Sequence, residues 1–245
     1  MDMLAKLGVV ALGLWCGVVF AQSVDAPNLK PGDSWVVAYT VDHGQKGWSQ
    51  KNMSIAVERV QHDGVVVGIK VDGSPQPPEE KFRGLDWSYS RDVNGKDMTV
   101  RRPLSFPMAP GKKWTLEYTE LNPTNSKQHS SETTHCDYVV TGWEDIDVPA
   151  GHFKALKVEC DGHWSAVVAA AVSSGAQAVA TADGVATVSQ THRIVPHNVE
   201  GRLYDAYWYV PSQKFIVKQV EESYNGEGNR TERLAWELVS SKLAN

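Results

Sequence analysis

The chain has 245 residues, 42% hydrophobic and 22% charged, with 24 basic against 29 acidic side chains and a formal net charge of −5. That length can bury one sizeable core, and the slightly acidic balance supplies no basic stripe for nucleic acid. Past the first twenty-one residues no stretch is long and apolar enough to cross a bilayer as a helix, so no integral membrane segment is expected once a leader is removed.

Residues 1–21 read as a signal peptide. Lys6 supplies the positive end, Leu7 to Val19 forms a short apolar run, and Val19-Phe20-Ala21 offers small-residue cleavage chemistry before Gln22. Cys16 lies inside that run behind Leu14-Trp15, so lipid attachment is not expected. The predicted organisation is a leader over 1–21 and a single β domain over 22–245, periplasmic or secreted.

Short runs rich in Val, Thr, Tyr and Trp then follow, punctuated by Asp63-Gly64, Asp72-Gly73, Asn94-Gly95, Asp161-Gly162 and Asn225-Gly226. The spacing predicts antiparallel hairpins, with strands at 34–41, 52–61, 65–72, 82–92, 96–101, 113–121, 132–143, 152–160, 187–195, 201–210, 214–223 and 231–240. The fold class is all-β: a single antiparallel curved sheet or half-barrel of about ten to twelve strands. In the first hairpin a three-residue loop, His62-Asp63-Gly64, opposes Val57 to Ile69 and makes Gly64 the left-handed residue. Pro31-Gly32 and Pro110-Gly111 each stand three residues before a strand-opening tryptophan, Trp35 and Trp114, both expected in the core. Asp92 to Asp97 reads as an Asn-Gly hairpin turn rather than a calcium loop.

Residues 164–189 break the pattern. Within this Ala- and Ser-rich insertion Ser165 to Ala182, rich in Ala, Ser, Val and Gly, reads as a short helix over Ala166 to Val172 with a stop at Gly175, or as an irregular segment, the helix being preferred. In strand 201–210 the row Leu203, Tyr207, Tyr209 is apolar, as is the opposite row Tyr204, Ala206, Trp208, Val210. A strand apolar on both sides needs cover on both, so one face is expected to enter the core and the other to be roofed by residues 165–175 or to line a groove. Of the nine tryptophans, Trp48 and Trp87 have the most polar or loop-like surroundings. The candidate ligand groove is therefore Tyr207, Tyr209, Leu203, Trp48 and Trp87.

Cys136 and Cys160 are the two cysteines outside the leader, and strand alternation predicts a cross-strand disulfide with Cys136 directly opposite Cys160. His135 and His163 lie beside them. Adjacent strand residues point to opposite faces, so the four do not converge on an ion and no metal site is assigned. Glu144, Asp145 and Asp147 read as solvated charges. No nucleophile elbow, zinc motif or phosphate loop occurs, so no catalytic residue and no cofactor is assigned.

Val148-Pro-Ala-Gly-His-Phe153 with Lys157-Val158, then Tyr207-Trp-Tyr-Val-Pro211 with Val217-Lys218, and the Pro-Gly-Asp-Ser-Trp35 turn resemble a group of exported bacterial β proteins of unknown function, the TapB-like and related periplasmic half-barrel families. The resemblance covers most of residues 29–240. It implies a strongly curved antiparallel sheet whose concave face can hold a hydrophobic ligand, with residues 164–189 inserted. The functional expectation is an uncharacterised exported protein, a non-enzymatic binding or carrier module for a hydrophobic small molecule. A structural or assembly factor that binds another envelope protein through a strand edge is the alternative, and an enzyme with a site assembled from distant loops is a third.

Overall fold

The computed structural model describes residues 23–124, 126, 128–181 and 184–244, the backbone alone over 171–181 and 184–192. The expected leader, residues 1–21, lies outside the described residues. Among the described residues fourteen strands follow in order: β1 (Ser34–Asp42), β2 (Trp48–Val60), β3 (Gly64–Val71), β4 (Glu79–Gly84), β5 (Tyr89–Val93), β6 (Lys96–Arg101), β7 (Lys113–Leu121), β8 (His129–Val148), β9 (Gly151–Val168), β10 (Ala171–Thr181), β11 (Gly184–Ile194), β12 (His197–Val210), β13 (Phe215–Tyr224) and β14 (Arg230–Lys242). Ten of them form one antiparallel sheet in the order β4-β3-β2-β1-β14-β13-β12-β9-β8-β7, not closed into a barrel, while β5-β6 and β10-β11 pair separately.

The topology explains where the core is. β4 and β7 are the two edges of the sheet, so the chain between them, residues 85–112, must travel from one edge to the other. It crosses one face, burying Trp87, Leu104 and Met108 against residues of the central strands. That face carries Trp35, Ile55, Val67, Tyr207, Val158 and Val140, all buried in one cluster. At about 25 cal/mol per Å² of apolar surface removed from water, such aromatic and aliphatic rows are what hold a sheet of this size to its cover.

A polar lock joins the ends of the domain. Fully buried Asp33, from the Pro-Gly-Asp-Ser-Trp turn, accepts from Lys214 Nζ at 2.9 Å, the Lys30 amide at 2.9 Å and the Ala244 amide at 2.8 Å. Burial works to raise its pKa, but Lys214 and the two amides outweigh burial and hold the carboxyl below its ordinary range. Lys214 sits left-handed (φ 54°) after the Pro211–Gln213 turn, and the indole N–H of Trp35 donates to the Gln213 carbonyl at 2.9 Å. The motifs around Trp35 and Trp208 are thus two halves of one structural joint.

Three expectations need correction. In the first hairpin Val57 opposes Val67, not Ile69, because a bulge at Glu58 takes up one residue and the Gln61 amide closes on the Gly64 carbonyl at 2.8 Å. Gly64 is not left-handed; a Cβ there would stand 2.2 Å from the Arg83 carbonyl oxygen, so its smallness serves the close approach of β4. In the β8–β9 hairpin Cys136 opposes Gly162 and Cys160 opposes Tyr138, so the Cys136–Cys160 disulfide forms on the diagonal, with Cα atoms 5.8 Å apart. Gly162 makes that approach possible, since a Cβ there would lie 3.0 Å from the Cys136 sulfur. Finally, Ala166 to Val172 is not helical: it spans the end of β9 and the start of β10, and β10 pairs with β11 from Ala171↔Ile194 to Thr181↔Gly184. Seven residues are too few to nucleate a stable helix when β9 pairs with β8 and β12, and β10 with β11, on either side of residues 169–170.

Candidate ligand-binding site

Under the crossing segment the covered face has an apolar half and a polar half. The apolar half centres on an aromatic cluster. Phe215 stacks on Trp35 at 4.7 Å, and Trp87 meets both edge-on, at 5.4 Å from Trp35 and 4.9 Å from Phe215. Beside the cluster a cavity of about 120 Å³ opens between Met53 and Ile55 of β2, Val67 and Ile69 of β3, Trp87 and Trp236. Two guanidinium-bearing side chains, Arg83 and Arg101, share its lining.

The polar half starts with an awkward pairing. Asp205 of β12 lies directly opposite Glu221 of β13, two carboxylates where a sheet tolerates like charge poorly. Arg101, at the end of β6, pairs with Glu221 through its Nη2. Glu221 Oε1 also accepts from Gln219 Nε2 at 2.7 Å and from the Tyr207 hydroxyl at 2.8 Å. The Tyr207 and Tyr138 hydroxyls lie 3.2 and 3.4 Å from Asp205 Oδ2. Burial pushes the Asp205 pKa up to about 7, with the Glu221 charge adding to the rise and Arg101 and the two tyrosines opposing it. Burial likewise raises Tyr138 and Tyr207 well above the ordinary phenol range, so both remain donors. A second cavity, about 310 Å³, lies over this cluster and includes Leu203, Leu116 and Tyr118 in its walls. Arg101 borders both cavities.

The expected groove residues separate. Trp87 lines the apolar cavity and Leu203 the polar one. Trp87 is not exposed, being 7% accessible: Asp86 and Ser88 make the turn, while the ring turns inward and its N–H donates to the Lys214 carbonyl at 3.3 Å. Tyr207 and Tyr209 are buried, Tyr209 beneath Phe106 of the crossing segment at 5.4 Å. Residues 165–168 lie within the sheet itself, paired with 197–200. Trp48 is 69% exposed and borders neither cavity. On the outer face Trp208 lies between the Lys157 and Lys218 ammonium groups, at 5.2 and 5.6 Å.

The sulfurs of Cys136 and Cys160 approach Asp205 on the covered face, but they are bonded to each other. His135 faces outward, stacked on His163 at 5.0 Å, and both of its ring nitrogens meet carboxylates, Glu117 at 2.7 Å and Asp137 at 3.1 Å. These two hydrogen bonds, Glu117 first, raise the His135 pKa. The sheet edges are also partly occupied. Asn94, at the tip of the β5–β6 turn, donates to the Thr119 carbonyl and accepts from the Leu121 amide, both at 2.8 Å, so it blunts β7.

Sequence reasoning missed Arg83, Arg101, Asp205, Gln219 and Glu221. A usable signal existed: Asp205 interrupts the row Leu203, Tyr207, Tyr209, and a carboxylate inside an apolar row demands a partner. The nearest compensating cation, Arg101, bonds Glu221 opposite Asp205, is 104 positions earlier in the chain than Asp205 and reaches the cluster only through the crossing topology.

No protein-family model matches the chain, and no curated protein matches it. Among solved structures, it is similar to a Bacteroides fragilis protein designated as exported with a YmcC-like fold, at 15% identity and a TM-score of 0.42 over 90% of this chain and 100% of that one. A Parabacteroides distasonis protein designated a lipoprotein gives 12% identity and a TM-score of 0.43 over 90% and 100% of the two chains. The hypothetical lipoprotein YmcC of Escherichia coli gives 10% identity and a TM-score of 0.32 over 86% and 85%. Likeness at this level carries no argument about what this chain binds.

Proposed function

We propose that the protein is an exported, non-enzymatic binding or carrier module for a small hydrophobic ligand. The observation that carries the reading is the apolar cavity of about 120 Å³ between β2, β3 and the crossing segment, walled by Met53, Ile55, Val67, Ile69, Trp87 and Trp236. A cavity of about 150 Å³ lined by aliphatic and aromatic side chains binds benzene; this one is of similar size, with Arg83, Arg101 and Gln219 completing its lining. Export is supported by the signal-peptide pattern of residues 1–21 and by the Cys136–Cys160 disulfide, which belongs in an oxidising compartment.

The cavity's size favours a ligand of a few carbons over a long acyl chain. A strand-edge assembly role has weaker support, since β7 is blunted by Asn94 and β4 carries Glu79, Glu80, Lys81 and Arg83 along its length. The test is native mass spectrometry of the gently purified protein, followed by organic extraction. A retained small hydrophobic molecule is expected; a stoichiometric protein partner and an empty cavity would replace this reading with the assembly one.

A further inference from the structure

The reading of the cavity as a ligand site leaves one charge without a purpose. Arg83 lines the cavity beside Arg101 and Gln219, and among the described residues it has no carboxylate partner. One of its N–H groups donates to the Phe82 carbonyl at 2.8 Å, and its guanidinium carbon lies 4.7 Å above the Tyr89 ring. Among the described residues the rest of its fork of donors meets no acceptor. A partly buried guanidinium without an anion is costly, and the neighbouring Arg101 adds to the cost by repulsion. Arg101 has Glu221 to neutralise it, whereas Arg83 does not. The cavity therefore combines hydrocarbon walls with a guanidinium that no carboxylate neutralises among the described residues.

Resting on the proposed binding function, we infer that the cavity takes a short-chain carboxylate, with the hydrocarbon part against Met53, Ile55, Val67 and Trp236 and the carboxylate on Arg83. A guanidinium matches a carboxylate through two parallel N–H···O bonds. The volume suits a tail of about five or six carbons, judged against the cavity of about 150 Å³ that holds benzene. Trp87 and Trp236 line the same cavity, so occupancy is open to fluorescence as well as calorimetry.

The experiment titrates the purified protein at pH 8 with hexanoate, hexan-1-ol and hexyl phosphate, and repeats the series with Arg83→Gln. Hexanoate is expected to bind about ten-fold more tightly than hexanol, the scale of one charge-assisted hydrogen-bonded contact. Arg83→Gln should abolish that preference by lowering hexanoate affinity about ten-fold, and an unchanged near-ultraviolet circular dichroism spectrum certifies that the variant is folded. Equal binding of hexanol and hexanoate, or unchanged hexanoate affinity in Arg83→Gln, overturns the carboxylate assignment while the binding function stands. Hexyl phosphate outcompeting hexanoate overturns it in favour of a phosphate head. If neither hexanol nor hexanoate binds at millimolar concentration, the binding function itself fails and this inference with it.

Discussion

The two halves of the covered face solve the same problem in opposite ways. Around Trp35, Trp87 and Phe215 the crossing segment is held by ring against ring, with each indole N–H matched to a carbonyl. Around Asp205 and Glu221 the same segment is held by one arginine placed over two facing carboxylates. Aromatic packing is tolerant of exact position and contributes through area, so the first half acts as the anchor. A buried ionic cluster contributes little net stability because desolvation offsets attraction, so the second half fixes where the segment sits rather than how firmly.

The sharpest way to break the comparison is Trp35→Ala. The side chain is fully buried, and its loss removes the stacking partner of Phe215 and the edge contact of Trp87. A loss of about 3–5 kcal/mol is expected in urea unfolding, the usual range for a buried large aromatic. A loss under about 1 kcal/mol would remove the anchor role from this half.

Next in size is the disulfide, which pins the polar half from below. Cys136 and Cys160 are separated by 24 positions, and loop-closure entropy of that length corresponds to about 3 kcal/mol. Replacing both cysteines by Ala should lower the urea midpoint accordingly. The near-ultraviolet signal of the aromatic half should persist below the transition. If both halves instead melt together at an unchanged midpoint, the bridge is not what stiffens β8 against β9.

What the sequence made legible divides along the same line. Alternation of apolar residues was enough to indicate an all-β sheet, the Cys136–Cys160 partnership and the burial of Trp35, because period-two patterns depend on neighbours along one strand. Register was less legible. The bulge at Glu58 and the diagonal placement of the two cysteines depend on where each hairpin takes up an extra residue, and parity survives a two-residue shift without trace. The site was least legible, because Trp87, Arg83 and Arg101 meet the central strands only through the path of residues 85–112 across the sheet. Trp87 between Asp86 and Ser88 looks exposed until that path is known.

Arg101→Met sharpens the comparison from the polar side. It removes the cation that neutralises Glu221 and leaves Asp205 and Glu221 facing one another. Breaking a fully buried pair costs about 3–5 kcal/mol. Arg101 keeps 41% of its side chain exposed, so water screens the remaining charge and about 2 kcal/mol is the expected loss at pH 8. Adding Glu221→Gln should recover most of it, which a purely apolar role for the Arg101 stem would not allow. Chemical denaturation of the single and double variants measures the coupling directly.

The smallest expected effect is also the one with the clearest sign. Asp205 has a folded pKa pushed up to about 7, above the ordinary value of 3.8, so the folded protein holds a proton there that the unfolded chain has released. Stability associated with this carboxyl is full below about pH 4 and is lost as pH rises through about 7. Asp205→Asn keeps an acceptor for the Tyr138 and Tyr207 hydroxyls but removes the charge. The variant should therefore match the wild type near pH 4 and exceed it by about 1 kcal/mol at pH 8, a figure kept low because Asp205 is only half-buried and Arg101 offsets part of its charge. Urea midpoints at pH 4, 6 and 8 test this. A difference that is constant with pH would mean Asp205 is ionised throughout, and Arg101 would then serve both carboxylates rather than Glu221 alone.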